Sequence, residues 1–179
     1  MSEQKRNKRI SKKTVLIIAE GLRDANFLKY LKSCYTHLNK LNMIIRNGQG
    51  GTADGLVQET INTLGSYDNR ATVIDNDKGK NEMERANNLA SSHNIKLIKN
   101  TPCIEATLLS ILGKKQDEIP TGTGQCKLKY KKEFLNNKKM EDNQDLIRMF
   151  PKKVLNNKRK SIPLLNEIIS AIEGKFIIR

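Results

Sequence analysis

The chain has 179 residues, enough for one domain and a small appendage, with 37% hydrophobic content and a formal net charge of +14. Aromatics make up 4% and Trp is absent, which argues against a base-stacking platform. Three widely spaced cysteines, Cys34, Cys103 and Cys126, and two histidines argue against a structural zinc site. They read instead as reduced thiols in a cytoplasm. No apolar run reaches membrane-spanning length, and no apolar signal core follows the basic start.

Residues 1–13, MSEQKRNKRISKK, are basic and almost free of apolar side chains, and read as a disordered arm. Val15–Ala19 is an unbroken apolar run of strand length, as expected for a central strand covered on both faces. Leu22, Ala25, Leu28, Leu31 and Tyr35 then recur at helical spacing. Asn42–Arg46 is a second strand. NGQGGTADG follows as a glycine-rich loop, and Thr52 with Asp54 suits the start of a helix carrying Leu56, Val57, Thr60, Ile61 and Leu64.

ATVID, ending at Asp75, is the third strand. Asn81 is placed to cap a helix through His93, with Glu82 and Glu84 in its first turn. Ile95–Lys99 is a fourth strand, and CIEATLLSIL reads as a helix with Ile104, Leu108, Leu109 and Leu112 on one face. Alternation of strand and helix predicts an α/β fold with a mainly parallel four-stranded sheet flanked by helices. Past Gly113 the chain turns Lys- and Asn-rich. TGTGQ reads as a turn, and IPLLNEIISAIEGKF as an amphipathic helix closing a basic, mostly helical C-terminal extension. The expected organisation is therefore arm 1–13, core 14–113 and extension 114–179. Their net charges are +5, +1 and +8, so a polyanion would be held by the ends.

The acids of the near-neutral core fall where a parallel sheet gathers ligands, past the carboxyl ends of its strands. Glu20 follows the first strand; Asp75 and Asp77 end the third. In an extended chain, residues two apart point to the same side. If the two strands are neighbours, three carboxylates converge, and they repel unless a cation joins them. Oxygen-only donors suit Mg²⁺ or Mn²⁺, which can polarise a phosphodiester and supply a bound hydroxide. Separately, each acid also fits a cap or a turn.

VLIIAEGLRDANFLKYL, with Glu20-Gly21 between strand and helix, resembles the first motif of Toprim domains, and ATVIDND resembles their Asp-x-Asp motif. GQGGTADGLV, NTPCIEATLLSIL and CKLKYKKEF resemble further features of the RloB-like branch, although Thr101 separates Asn100 from Pro102. The resemblance spans roughly residues 14–135. It implies a Toprim-like fold and a metal-dependent nuclease, in phage defence or a mobile element, using Mg²⁺ or Mn²⁺. On matching positions it implies Glu20 as metal ligand or general acid/base, Asp75 and Asp77 as the metal-binding pair, and Glu105 as a further acid of the site.

Lys129, Lys131 and Lys132 are candidate nucleic-acid contacts, and Cys103 reads as packing. The competing expectation is a non-catalytic nucleic-acid-binding module, or a regulator acting with a partner ATPase or a restriction-type complex. Topoisomerase or primase chemistry is disfavoured, because there is no room for a strand-passage gate. DNA and RNA substrates, and a monomer or a homo-oligomer, stay open.

Overall fold

A computed structural model describes residues 13–36, 41–48, 50–135 and 138–176. Apart from Lys13, the basic arm lies outside them. Four strands, β1 (Lys13–Ala19), β2 (Leu41–Asn47), β3 (Asn69–Asp75) and β4 (Ile95–Asn100), form one sheet in the order β2-β1-β3-β4, every pair parallel. The α/β class and the four-stranded parallel sheet follow the sequence expectation.

The apolar run of β1 explains its central place. Val15, Ile17 and Ala19 enter one core, and Leu16 and Ile18 enter the other. A strand alternates its side chains between faces, so a strand buried on both has to be apolar throughout. The first face is covered by α1 (Leu22–Tyr35), α4 (Ile104–Ile111) and α8 (Pro163–Ile172). The second is covered by α2 (Ala53–Asn62) and α3 (Lys80–Ser92). Thr52 caps α2 as expected, its side chain accepting from the Gly55 amide.

Beyond the core, the chain adds a short 3-10 turn (Gln116–Glu118), α5 (Thr123–Phe134), α6 (Asn143–Met149) and α7 (Lys152–Lys158). Among the described residues, no helix is long and apolar enough to cross a membrane.

Three expectations need correcting. Gly79, not Asn81, precedes α3, and that helix start has no side-chain cap. TGTGQ is not a turn: Thr123, Gly124 and Gln125 open α5, whose buried Cys126 and Tyr130 anchor it to the main core. Leu22 is half exposed, since it leads the helix where nothing covers it, and Leu64 lies beyond α2 and is 92% exposed. The extension is helical, as expected, with α6 and α7 at places the sequence does not announce. α6 is started by Asp142, whose side chain accepts from the Asp145 amide, and α7 follows Pro151.

Candidate functional site

From β1 the chain crosses first to β2 on one side and then to β3 on the other. The carboxyl ends of β1 and β3 therefore flank the point where the winding reverses, the usual ligand position in such sheets. Glu20 stands there. Its amide donates to the Val73 carbonyl at 2.9 Å, and its Oε2 accepts from the Asp75 amide at 2.9 Å. The two acids are thus bonded across the strand boundary. Asp75 is buried, and its Oδ1 accepts from the Ile104 amide at the start of α4, where the helix dipole favours a negative charge.

Asp77 does not join them by strand geometry. β3 stops at Asp75 because the Asn76 amide turns to the carbonyls of Asn100 and Pro102, at 2.7 and 3.1 Å. Asp75 goes inward and Asp77 lies exposed in the loop, so the expected same-side pair is parted, although Asp77 remains close enough for its charge to act on Asp75. Among the described residues, no three His, Cys, Asp or Glu side chains are grouped so as to hold a metal ion.

A fourth acid lies alongside. Asp24, in the first turn of α1, is 5% exposed and its Oδ1 accepts from the Asn100 amide group at 3.1 Å. Gly21 makes room for it: a Cβ there would meet Asp24 Oδ2 at 2.8 Å. Burial, followed by the charge of Asp75, pushes the Asp24 carboxyl up to about 8. Burial, followed by the charge of Glu20, pushes Asp75 up to about 7.

Two cations reach the acids and a third stands apart. Lys78, next to Asp77, contacts Glu20 Oε1 at 2.9 Å, and Lys127 of α5 lies 3.7 Å from Asp75 Oδ2. Arg23 belongs to a separate knot. It pairs with Glu105 at 2.5 Å and Glu141 at 3.1 Å, donates to the Lys139 carbonyl, and stacks over the Tyr130 ring at 5.5 Å. Both glutamate side chains are 2% exposed. Glu105 is therefore an ion-paired acid beside the site, its Oε2 buried and without a hydrogen-bond partner among the described residues.

The donor set can be tested against a hard divalent cation. When ionised, Glu20 and Asp75 are acceptor-only, each turns one oxygen toward a lysine ammonium, and burial followed by the charge of Glu20 raises Asp75. Mg²⁺ is commonly held by one or two carboxylates, with water and phosphate oxygens completing its shell. These two residues fit that requirement.

The lysines singled out from the sequence stand elsewhere. Lys129 donates to the Glu118 carbonyl at 2.6 Å, and Lys131 and Lys132 are exposed in the last turn of α5. Lys127, Lys78 and the Arg23–Glu141 pair are what sequence reasoning missed. Lys78 could have been found, since it adjoins Asp77. Lys127 carried no signal beyond lying one turn before Lys131, and only the docking of Cys126 and Tyr130 aims it at Asp75. Cys103 is buried as expected, and burial pushes its thiol far above the ordinary range. No protein-family model, curated protein or solved structure matches the chain.

Proposed function

We propose that this protein is a cation-dependent phosphodiesterase acting on nucleic acid in the cytoplasm, as its resemblance to RloB-like Toprim nucleases implies. The observation that carries the reading is the bonded Glu20–Asp75 pair at the switch point of the sheet, with Asp75 raised to about 7 beside Asp24 raised to about 8. Such surplus negative charge on a fixed frame suits a site that gains a cation on binding its substrate. Glu20 and Asp75 would hold Mg²⁺ or Mn²⁺, with Asp77 on the adjoining loop.

When bound, the ion would polarise the phosphodiester and activate water. The chain's own residues would do the rest. The Ile104 amide and the Glu20–Asp75 bond keep the carboxylates in place before substrate arrives. Lys127 would meet the charge developing on a phosphate oxygen, and Lys78 would release Glu20 to the cation. The basic extension would hold the polyanion.

A second reading is a binding module working with a partner ATPase. The Lys78–Glu20 contact and the exposed Asp77 favour it, because the ammonium already neutralises the acid a metal would need.

One experiment separates the two. Wild type, Asp75→Ala and Asp77→Ala are incubated with supercoiled DNA, single-stranded DNA and total tRNA, with Mg²⁺, Mn²⁺ or EDTA. The phosphodiesterase reading expects cleavage that EDTA and each substitution abolish. Salt-sensitive binding without cleavage, unchanged by the substitutions, would favour the module.

A further inference from the structure

Between Asp145 and Glu167 the chain carries six basic residues and no acid. Arg148 pairs with Asp145, and the Arg159 guanidinium pairs with both oxygens of Glu173, at 3.0 and 3.3 Å. The other four, Lys152, Lys153, Lys158 and Lys160, make no ion pair among the described residues. They stand on α7 and just past it, and that helix is firmly placed. Leu155 is fully buried, Asn156 accepts from the Tyr35 hydroxyl at 2.9 Å, and Lys152 and Arg159 lie over the Tyr35 ring at 5.1 and 5.9 Å.

This cluster is far from the carboxylates. Tyr35 ends α1, which starts beside Glu20 and, with 14 residues, is about 20 Å long. Gly174, next to Glu173, sits against Leu41 at the start of β2. The lysines therefore gather at the amino ends of the strands, and the acids at the carboxyl ends.

Such a cluster is a cost to the fold. Lys152 and Lys153 open α7, the end of a helix at which cations are disfavoured, and neighbouring ammonium groups repel. A polyanion removes that cost. The surface also selects the kind of polyanion. The apolar residues of α7, Val154 and Leu155, turn to the core, and none of the large exposed hydrophobic side chains belongs to it. A bilayer would find no apolar side chain to bury there, and a protein partner no apolar centre. What the surface offers is charge beside the exposed Asn156, Asn157 and Ser161, the residue types that contact phosphate and sugar.

We propose that α7 and the segment to Ser161 form a second nucleic-acid surface, which holds a sugar–phosphate backbone without reading its sequence. It lies at the opposite end of the sheet from the carboxylates and is separate from the Lys127 face of α5. It does not depend on the phosphodiesterase reading.

The test is fluorescence anisotropy of the full chain in EDTA, with a labelled short blunt duplex of arbitrary sequence, over a series of salt concentrations. Lys153 and Lys160 are exposed, and replacing both by Gln should leave the melting temperature unchanged. It should lower the slope of log affinity against log salt by about two, and weaken binding at least about tenfold at the low-salt end. Lys153→Arg with Lys160→Arg should restore the slope. Lys29→Gln with Lys80→Gln takes the same charge from exposed residues of α1 and α3 and should leave the slope as in wild type.

A slope unmoved by the Lys153 and Lys160 glutamines overturns the proposal. So does an equal fall in the Lys29 and Lys80 control, which would mean that net charge alone binds. Phosphatidylserine vesicles are the second probe: vesicle binding lost in the Lys153 and Lys160 variant, with duplex binding kept, overturns it in favour of a membrane. EDTA silences hydrolysis, so a protein that never cuts still tests the surface. A protein that cuts with its slope unmoved overturns the surface and leaves the phosphodiesterase reading standing.

Discussion

Two groups of acids, all buried but the half-buried Glu20, lie near one edge of the sheet and meet the same problem differently. Glu105 and Glu141 close on a single guanidinium, that of Arg23. Asp24, Glu20 and Asp75 crowd together with only lysines at the rim, and two of them are raised well above the carboxylate range. The first group is tied within the fold by a guanidinium held between its two carboxylates. In the second, Asp24 makes no ion pair among the described residues, and burial followed by the charge of Asp75 raises it. Burial with a missing counter-charge, rather than burial alone, therefore marks a candidate functional acid.

The largest expected effect tests the Arg23 group. Arg23→Ala leaves two carboxylates buried without their cation, and loss of one partner from a buried pair costs about 3–5 kcal/mol. It also unties Lys139 and Glu141 from α1. Urea denaturation should show the unfolding free energy falling by that amount, with Arg23→Lys recovering part of it. A loss under about 1 kcal/mol, typical of exposed pairs, would erase the distinction between the two groups.

The next effect has the opposite source. Asp24 and Asp75 are raised in the folded protein, so over the window from about pH 4 to about pH 8 the native state binds more protons than the unfolded chain. The stability these groups contribute is fully present below about pH 4 and is lost as pH rises through their folded values. Metal-free protein should lose stability between pH 5 and pH 8, read by denaturant midpoints at each pH. Asp75→Asn removes one of the repelling charges and should flatten the curve, raising stability at pH 8 while abolishing cleavage. Mg²⁺ should restore stability at pH 8 and do little at pH 5. A flat wild-type curve would mean that the crowding is relieved in solution by the rim lysines.

Most of the frame was legible in the sequence, for reasons that can be named. An uninterrupted run such as Val15–Ala19 has one good home, the centre of a parallel sheet. Glu20 and Asp75 follow from it as residues at the carboxyl ends of adjacent strands. The parting of Asp75 and Asp77 was not legible, because it depends on where Asn76 finds its backbone acceptors, on β4 and the turn beyond. Nor were α6 and α7, seven residues each and mostly polar, whose contributions to the core are single side chains such as Leu146, Phe150 and Leu155. The Arg23 knot joins residues more than 80 apart, which no local pattern reports.

The smallest effect decides which lysines serve the charged group. Lys127 Nζ lies 3.7 Å from Asp75 Oδ2 and its side chain is 48% exposed, so the pair itself contributes little to stability. Its value would lie in the charge that develops on the substrate, where a desolvated contact strengthens. Lys127→Ala should lower kcat about tenfold with the urea midpoint nearly unchanged. Lys131→Ala and Lys132→Ala stand in the exposed last turn of α5 and should act through KM, with a loss that shrinks as salt rises. A kcat effect from Lys132 equal to that of Lys127 would mean that proximity to Asp75 does not select the catalytic cation. The substrate would then be held by the whole basic face of α5 rather than by one residue aimed at the carboxylates.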